Sequence, residues 1–142
     1  MYELQELRAK IEAKDYQGAL AIIDELEEMS KDDKLNKIYS YLVVLLIHLI
    51  KQNAEDRSTI SWERSIKNSL KYIKKTNKRR RFGGYYASTN EILEMLDEAY
   101  EDALDEAAYE AFGGAYDRDE FNNMVRENVI KKQAIALIRD SY

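Results

Sequence analysis

Apolar residues recur every three or four positions along most of the chain, which is the period of helices with one buried face. Leu4, Leu7 and Ile11 make the first such stripe and predict a helix over residues 2–13. Asp15 is placed to cap a second helix over 16–29, with Leu20, Ile23 and Leu26 inward and Ala19 and Ile22 at the edge. Ser30, followed by Asp33, approximates a capping box and predicts a third helix over 30–52. That helix starts with the stripe Leu35, Ile38, Tyr39 and Leu42, then turns apolar all round in YLVVLLIHLI, the mark of a central buried helix.

Ser58 or Thr59 opens a fourth helix to about residue 76, with Trp62, Ile66, Leu70 and Ile73 facing the core. The segment NKRRRFGGYYAS is irregular, because Gly83 and Gly84 permit the positive φ that stops a helix. Ser88 and Glu91 form a capping box for a fifth helix over 89–112. Its stripe is Ile92, Leu96, Ala99, Ala103 and Ala107, flanked by Leu93, Tyr100 and Leu104. Gly113 and Gly114 end it. Asp117 with Glu120 caps a sixth helix over 118–139, with Phe121, Val125, Val129, Ile135 and Ile138 inward. No linker or low-complexity stretch interrupts this series. The expected fold is all-α: one helical domain over 1–142, a bundle of five to six helices around the third.

Composition narrows the chemistry. The 142 residues include no proline and no cysteine, and only 5 glycines. Disulfides, thiolate metal sites and iron–sulfur clusters are excluded. The ten-residue run from Tyr41 to Ile50 is too short to span the roughly 30 Å hydrocarbon core of a membrane. The charged opening MYELQELRAKIEAKD lacks the apolar core of a secretory signal. A cytoplasmic location without a membrane partner is expected. The net charge of -5 conceals segregation: residues 63–81 hold nine basic residues and one acidic, residues 91–110 nine acidic and none basic.

The stretch LLIHLIKQNAEDRSTISWERSI, from Leu45 to Ile66, resembles a pattern of the form LLxHLLK, a short spacer, then RSxSWxxTI. The matching residues are His48, Lys51, Arg57, Ser61, Trp62 and Ile66. The pattern is similar to that of a helical family abundant in cyanobacteria, catalogued as domain of unknown function 29. The resemblance covers residues 3 to about 112. It implies a bacterial source and a helical fold, and it implies no activity.

Candidate sites are few. His48 is the only histidine and has no acidic residue within one helical turn, so a core histidine bonded to another helix is expected rather than a base or a metal ligand. The signature His48, Lys51, Arg57, Ser61 and Trp62 reads as a packing device. In that reading His48 and Trp62 lie level in an antiparallel helix pair, the imidazole bonds a backbone or hydroxyl group with Ser61 one candidate, and Arg57 reaches a carboxylate of the fifth helix. Carboxylates of the fifth helix lack the Glu-x-x-His partners of di-iron bundles and read as a solvated face. No metal or other cofactor is expected.

The basic run is the strongest candidate for a ligand site: Lys74, Lys75, Lys78, Arg79, Arg80 and Arg81, preceded by Lys67 and Lys71 and followed by Tyr85 and Tyr86. Cations beside aromatics hold phosphates and stack bases. Cations at a helix C-terminus, or neutralisation against the acidic fifth helix, explain the same run. Absence of a catalytic set, together with eleven tyrosines, points first to a non-enzymatic protein-interaction module, with a homo-oligomer as one form. The alternative is nucleic-acid or phosphate-ligand binding through the basic segment 71–81.

Overall fold

The computed structural model describes residues 2–79 and 83–141, Tyr2 by its backbone only. Among the described residues there are six α-helices and a single 3-10 turn, and no strand. The all-α helical bundle expected from the pattern is the observed fold. It falls into two compact units, residues 1–34 and 35–142.

In the first unit, α1 (Tyr2–Glu12) ends at Lys14, which adopts a left-handed φ of 60°. Asp15 then starts α2 (Tyr16–Glu55): its Oδ1 accepts the Gly18 N–H at 3.1 Å. That bond, together with Lys10 3.3 Å away, holds the Asp15 carboxyl below the ordinary carboxylate range. Only Ala19 is buried among the described side chains of this unit. The stripes expected to face a core therefore lie open: Leu4, Ile11, Leu20 and Ile23 are all exposed, and Leu7 and Leu26 are half-buried.

The second and third predicted helices are one helix of 40 residues. Ser30 does not start a new helix. A capping serine must leave helical φ/ψ, and no glycine or proline lies between Gly18 and Glu55 to favour that departure. The later part of α2 belongs to the second unit and is its buried spine: Ile38, Leu42, Leu45, Leu46, Leu49 and Ile50 are almost inaccessible.

Beside the spine lies α3 (Ile60–Asn77), with Thr59 as its cap: Oγ1 accepts the Trp62 N–H at 3.0 Å. Tyr41 stacks on Tyr72 with centroids 5.5 Å apart, and Lys51 sits 4.8 Å from the Trp62 ring. The residue numbers of both pairs sum to 113, so α2 and α3 run antiparallel in a fixed register. Ser88 and Glu91 form the expected capping box on α4 (Thr89–Glu110), whose stripe Ile92, Leu96, Ala99, Ala103 and Ala107 is buried. A 3-10 turn (Ala111–Gly114), with Phe112, Gly113 and Gly114 at positive φ, redirects the chain.

The sixth predicted helix is two helices, α5 (Arg118–Asn122) and α6 (Glu127–Asp140). Asp117 caps the first: Oδ1 accepts the Glu120 N–H at 2.8 Å. At the break, the Arg126 N–H is taken by Asn53 Oδ1 of α2 at 3.1 Å. The break shifts the helical phase. Phe121 and Ile138 are buried as expected and Val125 and Ile135 pack against the core, but Ile130 and Ala134 also face it while Val129 turns out to solvent, half exposed.

Candidate functional site

The family-like signature comes together around Trp62. The indole is half-buried at the start of α3 and lies outside the buried core. Two cations flank it, Lys51 Nζ and the Arg57 guanidinium carbon, each 4.8 Å from the ring centroid. Arg57 is held by Glu55 at 3.2 Å, not by the acidic helix. Gln52 donates to Ser58 Oγ at 2.7 Å and closes the connection between α2 and α3. This is a cation–aromatic clasp on the helical corner, and Trp62 is its centre, not a core anchor.

His48 is half-buried and bonds within its own helix, Nδ1 donating to the Val44 carbonyl at 2.8 Å. By the α2–α3 register it lies level with residue 65, one turn beyond Trp62. The expected bond from His48 to another helix is therefore not made, and Ser61 is exposed. A backbone carbonyl satisfies one nitrogen of the ring, and among the described residues no nucleophile or orienting carboxylate is bonded to it.

Three of the nine acids of residues 91–110 pair with cations that follow in the chain. Arg118 grips both Glu101 and Asp105, and Lys131 pairs with Asp97 at 3.0 Å and Glu127 at 3.7 Å. Tyr39 of α2 donates its hydroxyl to Asp102, and that bond pushes the Tyr39 hydroxyl up to about 12. Tyr100, fully buried under Lys131, has no hydrogen-bond partner for its hydroxyl among the described residues. Burial pushes it up to about 12 as well.

The basic run of α3 is not consumed in this way. Among the described residues, Arg64, Lys67, Lys71, Lys74, Lys75 and Lys78 are exposed and none forms an ion pair. At 100° per residue the first five occupy about 100° of the helix circumference, centred about 120° from the face of Ile66, Leu70 and Ile73. The row is about 16 Å long. Arg79 is half-buried and lies 5.6 Å from the Tyr86 ring. Arg80 and Arg81 lie outside the described residues.

The chain turns back at once. Lys78 and Tyr85 form an antiparallel bridge, and Arg79 N–H donates to the Gly84 carbonyl at 3.0 Å. Gly83 and Gly84 take φ of 70° and 73°, which glycine adopts without strain. Beneath the turn, Asn77 is buried and binds Ala87 twice: Oδ1 accepts its N–H at 2.7 Å and Nδ2 donates to its carbonyl at 3.1 Å. The sequence reading did not single out Asn77. An amide at the last turn of a helix, before a glycine pair, is the signal for it.

This turn borders a cleft of about 560 Å³ lined by Asn77, Tyr85, Tyr86, Thr89, Ile135 and Arg139, among others. Tyr85 and Tyr86 were expected at a site. Thr89 and Arg139 were not, because only the fold brings α6 beside the start of α4. The volume is that of a small-ligand pocket. Among the described residues no helix is long and apolar enough to cross a membrane.

Over residues 4–125 the chain matches the model of a family described as Domain of unknown function DUF29. The chain belongs to that family. The DUF29 match reaches past the sequence resemblance, through α5, and ends just before α6. It spans the clasp around Trp62, the basic row and the turn at Gly83–Gly84, but not Arg139. No curated protein and no solved structure compared with the chain matches it.

Proposed function

We propose that the chain is a non-enzymatic protein-interaction module whose docking face is the apolar row of its first unit. One observation carries this reading. Leu4, Ile11, Tyr16, Leu20 and Ile23 are all between 36 and 61% exposed. Scattered apolar side chains are ordinary on a surface, but a row at helical spacing on two successive helices has the character of an interface. The single histidine supports the non-enzymatic part, being tied to its own helix backbone.

A second copy of this chain presents the same row, so self-association is the form of the reading that needs no other component. Residues 1–34 carry ten acidic and five basic side chains, so two such faces repel one another at low salt. Screening shortens that repulsion to about 8 Å at physiological ionic strength. Sedimentation velocity over a range of concentrations should show a mass rising above that of the single chain, more so as salt is raised. The double variant Leu20→Glu, Ile23→Glu should remain helical and stay monomeric. A parent chain that is monomeric at every concentration and salt removes self-association, and the row then needs a different protein.

The alternative, an anionic ligand at segment 71–81, is favoured by a separate observation: the lysines of α3 have no acidic partner among the described residues.

A further inference from the structure

We propose that the lysine row of α3 and the tyrosine-lined cleft at its end form one binding track for single-stranded nucleic acid. This rests on the anionic-ligand reading and names the ligand for it. Arg64, Lys67, Lys71, Lys74 and Lys75 share one exposed face of α3, and Lys78 continues the row at its cap. Among the described residues none of these six cations forms an ion pair, so the row holds its positive charge facing solvent. Six such cations in a line match a ligand whose negative charges also repeat in a line, which is a polyanion.

The end of the row selects among polyanions. Lys78 is bridged to Tyr85, which is 51% exposed and lines the cleft with Tyr86. The cleft thus begins where the row stops. An exposed tyrosine face is a stacking platform for a base that is not already paired. Inside, Thr89 and Arg139 supply a hydroxyl and a cation, and Ile92 and Ile135 an apolar floor. A duplex offers no free base for such a cleft, a lipid surface offers no planar ring, and an acidic peptide does not repeat a planar ring beside every negative charge as a single strand does. The backbone would lie along α3 and one unpaired base would enter the cleft. Asn77 holds the two parts in register, because it ties the end of α3 to Ala87 on the cleft wall.

The test uses fluorescence anisotropy of the full chain with a labelled twelve-nucleotide oligothymidylate and oligouridylate, against a duplex of equal length and heparin. The single strands should bind more tightly than the duplex, with affinity falling steeply as salt rises. Lys71→Gln, Lys74→Gln, Lys78→Gln should reduce the salt slope by about 2, from roughly 0.7 per lost phosphate contact. Tyr85→Ala should weaken single-strand binding about tenfold and leave the salt slope and heparin binding unchanged. Tyr85 is exposed, so this variant keeps its fold, which circular dichroism checks. Heparin or duplex binding as tight as the single strand, or no effect of Tyr85→Ala, overturns the single-strand proposal and leaves the anionic-ligand reading standing. Failure of all four polyanions to bind overturns both.

Discussion

Both ends of the Asn77 amide are satisfied by Ala87, ten residues away, in a place without access to water. Replacing Asn77 with alanine leaves a buried N–H and a buried carbonyl without partners. The expected cost is about 2 kcal/mol, read from denaturant unfolding, and the turn at Gly83–Gly84 should become more open to proteolysis. Tyr100 presents the opposite case. Its hydroxyl is buried with no partner among the described residues, so Tyr100→Phe should be neutral or stabilise the chain by about 1 kcal/mol. Tyr39 and Tyr100 also make stability depend on alkaline pH. Both titrate at about 12 in the folded chain, Tyr39 because it donates to Asp102 and Tyr100 because it is buried. In the unfolded chain a tyrosine titrates near 10. A raised folded value adds stability that is complete below about pH 10 and lost as pH climbs to about 12. Urea midpoints measured across that window should fall, and the double variant Tyr39→Phe, Tyr100→Phe should fall less steeply.

The elements show where local pattern decides and where it does not. Caps were legible: Asp15, Thr59, Ser88 with Glu91, and Asp117 each accept the N–H their position predicts. So were the stripe of α4, the Ile66, Leu70 and Ile73 part of the α3 stripe, and the buried spine of α2. Ser30 was misleading, since a serine is tolerated inside a helix and only a competing backbone geometry makes it a cap. The division between α5 and α6 was invisible for a different reason. The bond that holds it, Arg126 N–H to Asn53 Oδ1, joins residues 73 positions apart. A simple substitution pair tests the phase shift it causes. Val129→Asp should cost under about 0.5 kcal/mol, because Val129 faces solvent, while Ile130→Ala should cost roughly 2–5 kcal/mol. The candidate site was legible in its charges and aromatic residues and not in its cleft, whose Arg139 arrives from α6. Trp62 illustrates the same limit. Its spacing suggested a core residue, but Lys51 and Arg57 take it as a cation–aromatic partner, which local pattern does not encode. Trp62→Ala should therefore cost about 1–2 kcal/mol, below the roughly 3–5 kcal/mol of a fully buried indole.

At the scale of the whole chain, burial is distributed very unevenly. The contiguous core runs from Ile38 to Ile138, all of it in the second unit, and the first unit adds only Ala19 to the buried apolar residues. Two consequences follow from ordinary energetics. Residues 35–142 carry the apolar burial that offsets the entropy of ordering a chain, and so should fold without the rest. Residues 1–34 form one short helix and the first turns of another, with almost nothing buried, and helices of that length are marginal in water by themselves. A fragment beginning at Leu35 should thus unfold cooperatively, with a melting temperature within a few degrees of the full chain and with the helical circular dichroism of its own residues. It should also lose concentration-dependent association, since the exposed apolar row leaves with the first unit, while keeping any affinity for polyanions, since the lysine row stays. A fragment that fails to fold would show that residues 1–34 complete the core, and the apolar row would then be a structural face and not a docking one.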